Sequence, residues 1–182
     1  MTRTLVIGGA RSGKSAHAEA LALASGRQLI YIATAQAGDA EMQARIAHHR
    51  ERRDNRWTTV EETMALGAAI DKHSRPDTLV LVDCLTIWLS NLLFAERMEF
   101  PAVGAIAPPA CFDQERAALL QALEHAKGDL ILVTNEVGQG VIPQGAVSRW
   151  FVDEAGRLNQ AVAARCERAV LVVAGLPLVL KD

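Results

Sequence analysis

Compact runs of consecutive apolar residues alternate along this chain with longer segments whose apolar positions return every three or four residues. The runs predict strands at Leu5–Ile7, Leu29–Ala33, Trp57–Val60, Thr78–Asp83, Leu130–Thr134 and Ala169–Ala174. The periodic segments predict helices at Lys14–Ser25, Ala40–Arg53, Met64–His73, Leu85–Arg97, Asp113–Lys127 and Trp150–Cys166. Because the strands are apolar throughout rather than alternating, both of their faces are expected to be covered, as in a parallel sheet. Strand and helix in alternation, with short connections, predict βαβ units: an α/β fold with a mostly parallel sheet covered by helices. Met98–Phe112, with Pro101, Pro108 and Pro109, reads as an exposed loop between two helices. No repeat or linker interrupts the pattern, so one domain over residues 1–182 is expected.

Composition narrows the class. Of the 182 residues 50% are hydrophobic and 22% charged, which excludes a disordered or fibrous chain. A net charge of −2 offers no long-range attraction to nucleic acid or anionic lipid. Three Trp, one Tyr and four Phe are too few to build base-stacking platforms, so no nucleic-acid partner is expected. Cys84, Cys111 and Cys166 are odd in number and unpatterned, and read as reduced, buried small hydrophobes. The longest apolar run, near Leu85–Leu93, is broken by Ser90 and Asn91, so no membrane span is predicted. The chain enters a strand without a charged-then-apolar leader, and a cytoplasmic enzyme is the expectation.

The chemistry begins at Gly8-Gly9-Ala10-Arg11-Ser12-Gly13-Lys14-Ser15, which fits G-x-x-x-x-G-K-[ST]. It follows the apolar run Thr4–Ile7 and opens a helix closed by Gly26, the context that its mechanism requires. In such a loop backbone N–H groups and the helix N-terminus cradle phosphate oxygens, the lysine reaches the β- and γ-phosphates, and the serine hydroxyl ligates Mg²⁺. A nucleoside triphosphate is the implied ligand. A second strand, Leu79-Val80-Leu81-Val82-Asp83, delivers a carboxylate to the sheet's C-terminal edge. Alone, Asp83 reads equally as a cap for the helix that starts at Cys84-Leu85-Thr86; beside a phosphate loop, holding Mg²⁺ becomes the stronger reading. Ser15 and Asp83 are thus the candidate metal ligands.

The segment Asp39–Arg53 is a good helix former with Asp39 at its N-cap. At 3.6 residues per turn Met42, Ile46, His49 and Arg53 share one face, with Arg45 and Arg52 along one side of it. His48 points about 100° away. Two readings stand on pattern alone: a solvated basic helix with an incidental histidine, or an imidazole among arginines placed to act on phosphate. Arginines match phosphate oxygens in a forked geometry, and a neutral imidazole is a competent nucleophile toward phosphorus.

Taken together, GGARSGKS at 8–15, YIATAQ at 31–36, DAEMQARIAHHRERR at 39–53 with Trp57 and Glu61, LVDCLTIWLSNLL at 81–93, LVTNEVGQGVIP at 132–143, AGRLNQ at 155–160 and the terminal VLVVAGLPLVLK resemble one family in order. It is the bifunctional adenosylcobinamide kinase/adenosylcobinamide-phosphate guanylyltransferase family. The resemblance implies a RecA-like P-loop fold acting late in adenosylcobalamin assembly. It implies phosphorylation of the adenosylcobinamide aminopropanol hydroxyl by ATP or GTP. GMP from GTP then passes to adenosylcobinamide phosphate through a guanylyl-histidine, giving adenosylcobinamide-GDP. Matched to the family's pattern, Arg45-Ile46-Ala47-His48-His49-Arg50 implies the nucleophile at His49, with His48 the alternative one register away. The resemblance also implies that Gly8 to Ser15 hold the triphosphate and that Ala33, Thr34 and Ala35 line the nucleotide site. Arg50, Glu51, Arg52 and Arg53 follow the nucleophile toward phosphates or guanosine. Glu61 reads the guanine N1–H and N2 amino group, with Glu62 as its alternative, and Asp83 is the strand-end acid. The family's members imply a homotrimer.

Two other classes compete with this expectation. A different P-loop kinase or NTPase needs only Gly8–Ser15 and Asp83, with no covalent histidine. A RecA-like nucleic-acid module needs a basic or aromatic surface, which the composition does not supply.

Overall fold

The computed structural model describes residues 1–35, 55–96 and 98–182. Its strands are β1 (Arg3–Gly8), β2 (Gln28–Ala33), β3 (Trp57–Glu61), β4 (Thr78–Asp83), β5 (Asp129–Asn135), β6 (Arg168–Val173) and β7 (Leu176–Lys181). The helices among the described residues are α1 (Lys14–Ala24), α2 (Leu66–His73), α3 (Leu85–Leu93), α4 (Cys111–His125) and α5 (Ala146–Arg165). One sheet holds all seven strands in the order β3-β2-β4-β5-β1-β6-β7. Every pair is parallel except β6 with β7.

The apolar runs are explained by burial on both sheet faces. Leu5, Val80, Val82, Leu130 and Leu132 enter a core with α2, α3, α4 and α5. The residues between them, Val6, Leu79, Leu81, Ile131 and Val133, enter a second core with Ala18 and Ala22 of α1. Each strand therefore carries two apolar faces, at about 25 cal/mol per Å² of apolar surface removed from water. β1 lies between β5 and β6, so the segment leading into the phosphate loop is a central strand.

Several elements differ from the sequence expectation. β7 is a strand that the apolar pattern did not assign. It returns from β6 through Ala174 and Gly175, both with positive φ (52° and 79°), and it tolerates Pro177 because it is an edge strand. α3 stops at Leu93 rather than Arg97, since beyond it Phe94, Ala95 and Glu96 are exposed and bury no face. α5 begins at Ala146, a turn earlier than Trp150, following Gly145 in extended conformation. The loop expected at Met98–Phe112 is not wholly exposed. Pro109 and Phe112 are buried, Phe112 lies in the first turn of α4, and its ring meets Trp150 edge-on at 5.0 Å. All three cysteines are free thiols, but only Cys84 and Cys166 are buried and Cys111 is half-exposed at the start of α4. Burial pushes Cys84 up to about 11 and Cys166 to about 12, so both stay protonated at neutral pH. The helix expected at Ala40–Arg53 lies outside the described residues.

Candidate active site

The phosphate loop runs from the end of β1 to the start of α1 and is shaped by what its glycines permit. A Cβ on Gly8 would lie 2.5 Å from Val172 O and 2.6 Å from Ser12 Oγ, so only glycine fits where β1 passes under the loop. Gly13 has φ +93°, and a Cβ there would meet Gly175 Cα at 3.1 Å. Gly175 N–H donates to Ser12 O at 2.8 Å, so the β6–β7 turn grips the loop from behind. Within the loop Ser12 N–H donates to Gly9 O at 3.3 Å, and Lys14 Nζ donates to the same oxygen at 3.1 Å. Ser12 Oγ is buried without a hydrogen-bond partner. The result is a loop of fixed backbone whose lysine folds over it, at the N-terminus of an 11-residue helix.

The C-terminal strand ends then line up beside it. Register places Ala33 level with Glu61 on one side and with Asp83 on the other. Asn135 is level with Gly8, and Asp83 with Val133. Side-chain alternation decides which of these share a face. Trp57 and Tyr31 belong to the α1-side core and meet edge-on at 6.0 Å, so Glu61 and Ala33, in phase with them, face that side. Leu81 and Val133 belong to the same core, so Asp83 and Asn135, in phase with them, face that side as well. Glu61, Ala33 and Asp83, with Asn135 and Gly8 two residues further along their strands, thus form a stepped row along the edge above α1. At about 4.8 Å per strand the row spans roughly 19 Å.

The structure separates the paired alternatives. Val60 packs against the opposite core, and Glu62 continues on that side. The Glu62 Oε1 atom accepts from Met64 N–H (2.9 Å) and Ala65 N–H (2.8 Å), closing the turn that leads into α2. Glu61 is exposed at the end of β3. Asp83 is half-buried, and Tyr31 Oη donates to its Oδ2 at 3.1 Å, which fixes the carboxylate's orientation. Thr34 is fully buried, and its hydroxyl bridges the Cys84 backbone, donating to the carbonyl and accepting from the N–H, both at 2.8 Å. Its side chain ties β2 to β4, while Ala33 and Ala35 remain partly exposed. His48, His49, Arg50, Glu51, Arg52 and Arg53 lie outside the described residues.

Sequence reasoning passed over Asn135. The signal was present in LVTNEVGQG, but a small amide acquires meaning only once the topology sets its strand between those of Gly8 and Asp83.

Residues 4–180 match a family model described as cobinamide kinase / cobinamide phosphate guanyltransferase. The chain is 52% identical to the bifunctional adenosylcobalamin biosynthesis protein CobP of Pseudomonas aeruginosa, over 98% of this chain and 97% of that one. It is 41% identical to the bifunctional adenosylcobalamin biosynthesis protein CobU of Salmonella typhimurium, over 97% of this chain and 98% of that one. Among solved structures, the assembled ATPase EscN of the enteropathogenic E. coli type III secretion system is similar at a TM-score of 0.58 and 12% identity. That match covers 95% of this chain and 43% of EscN. A second type III secretion ATPase matches at 0.56 and 14%, over 98% of this chain and 56% of that one. At such identities the likeness concerns the fold alone, which is the RecA-like P-loop fold.

Proposed function

The chain belongs to the cobinamide kinase / cobinamide phosphate guanyltransferase family, and we propose that it performs two successive transfers on adenosylcobinamide. In the first, the Gly8–Ser15 loop and Lys14 hold the triphosphate of ATP or GTP. The aminopropanol hydroxyl oxygen bonds to the γ-phosphorus, the bond to the β–γ bridging oxygen breaks, and the hydroxyl proton is released with the nucleoside diphosphate. Lys14 stabilises the charge that develops on the transferring group. In the second, an imidazole nitrogen of His49 bonds to the α-phosphorus of GTP and pyrophosphate leaves. An oxygen of adenosylcobinamide phosphate then displaces the imidazole, giving adenosylcobinamide-GDP. The assignment to His49 is supported by the resemblance of Arg45-Ile46-Ala47-His48-His49-Arg50 to the family's pattern.

One observation carries the reading: the phosphate loop, Asp83, Ala33 and Glu61 share one face at one edge of the sheet. A base read by Glu61 and phosphates held at Gly8–Ser15 belong to an extended nucleotide laid across β5, β4 and β2. Glu61 offers two carboxylate oxygens to the N1–H and N2 amino protons of guanine, a pairing that adenine cannot return.

Mg²⁺ fits this site by the chemistry of its donors: a carboxylate at Asp83 oriented by Tyr31, and a hydroxyl at Ser15. Ser15 and Asp83 would hold it, and when bound it neutralises phosphate charge. A homotrimer belongs to the same proposal, and the exposed apolar side chains Leu176, Leu178, Val179 and Leu180 on β7 support self-association.

The test is incubation of the purified protein with adenosylcobinamide, GTP and Mg²⁺, followed by mass analysis. A phosphate adduct and then a GMP adduct of the corrinoid are expected. Hydrolysis of GTP with neither adduct would overturn the proposal.

A further inference from the structure

On the α3 side of the same sheet edge lies a cavity of about 450 Å³, lined by Met64, Ser90, Asn91, Phe94 and Ala95. Asn91 ties it to the strand ends. Its Nδ2 donates to Thr34 O at 2.8 Å, just past β2, and to Thr63 O at 3.1 Å, just past β3. Both partners are carbonyls that need a donor, so the amide can be oriented only one way. With Nδ2 committed to the protein, what Asn91 has left is Oδ1, an acceptor to which no described residue donates. The neighbouring Ser90 is half-exposed, and its hydroxyl makes no hydrogen bond among the described residues. Phe94 flanks the two with a ring that is 57% exposed and stands edge-on to Phe100 at 6.0 Å.

No lining residue carries a charge, so the cavity is not built for a phosphate. It offers an acceptor at Asn91 Oδ1, a hydroxyl at Ser90 that donates or accepts, and an exposed ring. That set complements a primary carboxamide on an apolar body: the amide N–H donates to Asn91 Oδ1, and the amide carbonyl accepts from the Ser90 hydroxyl. Of the substrates in the proposed transfers, the nucleotide is a polyanion. A cobinamide is an apolar macrocycle bearing primary carboxamides. We propose that this cavity docks a carboxamide-bearing edge of the adenosylcobinamide acceptor, with Ser90 and Asn91 pairing the amide and Phe94 packing on the macrocycle. The nucleotide row lies on the α1 side, so the two substrates meet at the sheet edge from opposite faces, as in-line transfer between them requires. From β2 to β1 is three strand spacings, roughly 14 Å, so a macrocycle held here brings its reacting arm to the phosphate loop while its body stays outside. The inference rests on the proposed transfers to adenosylcobinamide.

The experiment measures binding of adenosylcobinamide by equilibrium dialysis, and binding of a non-hydrolysable GTP analogue to the same proteins. Ser90→Ala removes a hydroxyl that holds nothing else, and Phe94→Ala an exposed ring, so both melting temperatures should stay near wild type. The corrinoid Kd should rise about fivefold in Ser90→Ala and about tenfold in Phe94→Ala. KM for adenosylcobinamide phosphate in guanylyl transfer should rise by the same factors, because the docked edge is common to both acceptors. Analogue binding, and covalent labelling by α-labelled GTP, should be unchanged. Wild-type corrinoid affinity in both variants would overturn the proposal. So would an equal loss of corrinoid and analogue binding, which marks an effect on the fold, or a loss in Phe94→Ala alone, which removes the amide pairing. A changed oligomeric state at unchanged corrinoid affinity would overturn it too, giving the surface to a second copy of the chain. Failure of the wild type to bind adenosylcobinamide would instead overturn the proposed function, and this inference with it.

Discussion

Glu61 and Glu62 are consecutive in the chain and serve opposite sides of the sheet: Glu61 ends β3 in phase with the α1-side core, whereas Glu62 accepts two backbone N–H groups ahead of α2. This division gives the two carboxylates different consequences on removal.

Glu61→Gln replaces one acceptor by a donor toward guanine. The mismatch should cost about 1–3 kcal/mol of GTP binding, roughly tenfold or more. Preference for GTP over ATP and ITP should shrink in guanylyl transfer. Glu62→Ala should leave that preference alone and lower stability by about 1–2 kcal/mol, because two N–H groups lose their acceptor. Nucleotide competition assays and thermal melts of both variants check this.

Lys14→Ala removes the cation of the phosphate loop while leaving its backbone contacts, including Gly175 to Ser12, in place. Phosphorylation of adenosylcobinamide should drop by about two to three orders of magnitude, with a melting temperature close to that of the wild type. Single-turnover kinetics with labelled ATP would read the loss.

His49→Ala should abolish a covalent label from α-labelled GTP, acid-labile and alkali-stable as a phosphoramidate is, yet leave the kinase step measurable. His48→Ala should label nearly as wild type. Label retained in His49→Ala and lost in His48→Ala would shift the nucleophile by one residue.

Stability should fall in acid through the Arg3–Glu167 pair. The Arg3 guanidinium hydrogen-bonded to Glu167 holds that carboxyl well below its usual range, at about 2. A depressed folded-state pKa contributes stability that is complete above the unfolded value, near 4.3, and lost as pH falls from about 4.5 toward 2. Melting temperatures of wild type and Glu167→Gln should differ at pH 6 and converge as the pH approaches 2. With the Glu167 side chain 44% exposed, the difference should be small and reduced by salt.

What the sequence made legible was whatever is encoded locally. The five central strands declare themselves because both of their faces are buried, and the phosphate loop because its backbone needs glycine at Gly8 and Gly13. Asp83 could be placed at a strand end because it closes the apolar run Leu79–Val82. β7 could not: its apolar residues face solvent, Pro177 argues against a strand, and the Ala174–Gly175 turn lacks the usual Asn-Gly signature. The end of α3 was missed because Ala95 and Glu96 favour helix, and only the lack of a surface to cover stops it at Leu93. Asn91 was illegible for a different reason. Its meaning is a pair of contacts from α3 to the ends of β2 and β3 that no window of sequence contains.

The grip of Gly175 on Ser12 has a consequence for biosynthesis. A ribosome makes Gly8–Ser15 long before the rest of its site: β1 finds its neighbours only when Asn135 and Val172 have emerged, and the loop's rear support only with Gly175. The nascent chain therefore carries a phosphate loop without the strands that shape it until those residues have been made. Contacts of such long sequence separation form slowly, because closure entropy precedes their reward. A segment translated well before its supports is thus late to become a binding site, so nucleotide can act as a folding ligand only for a chain synthesised through residue 175.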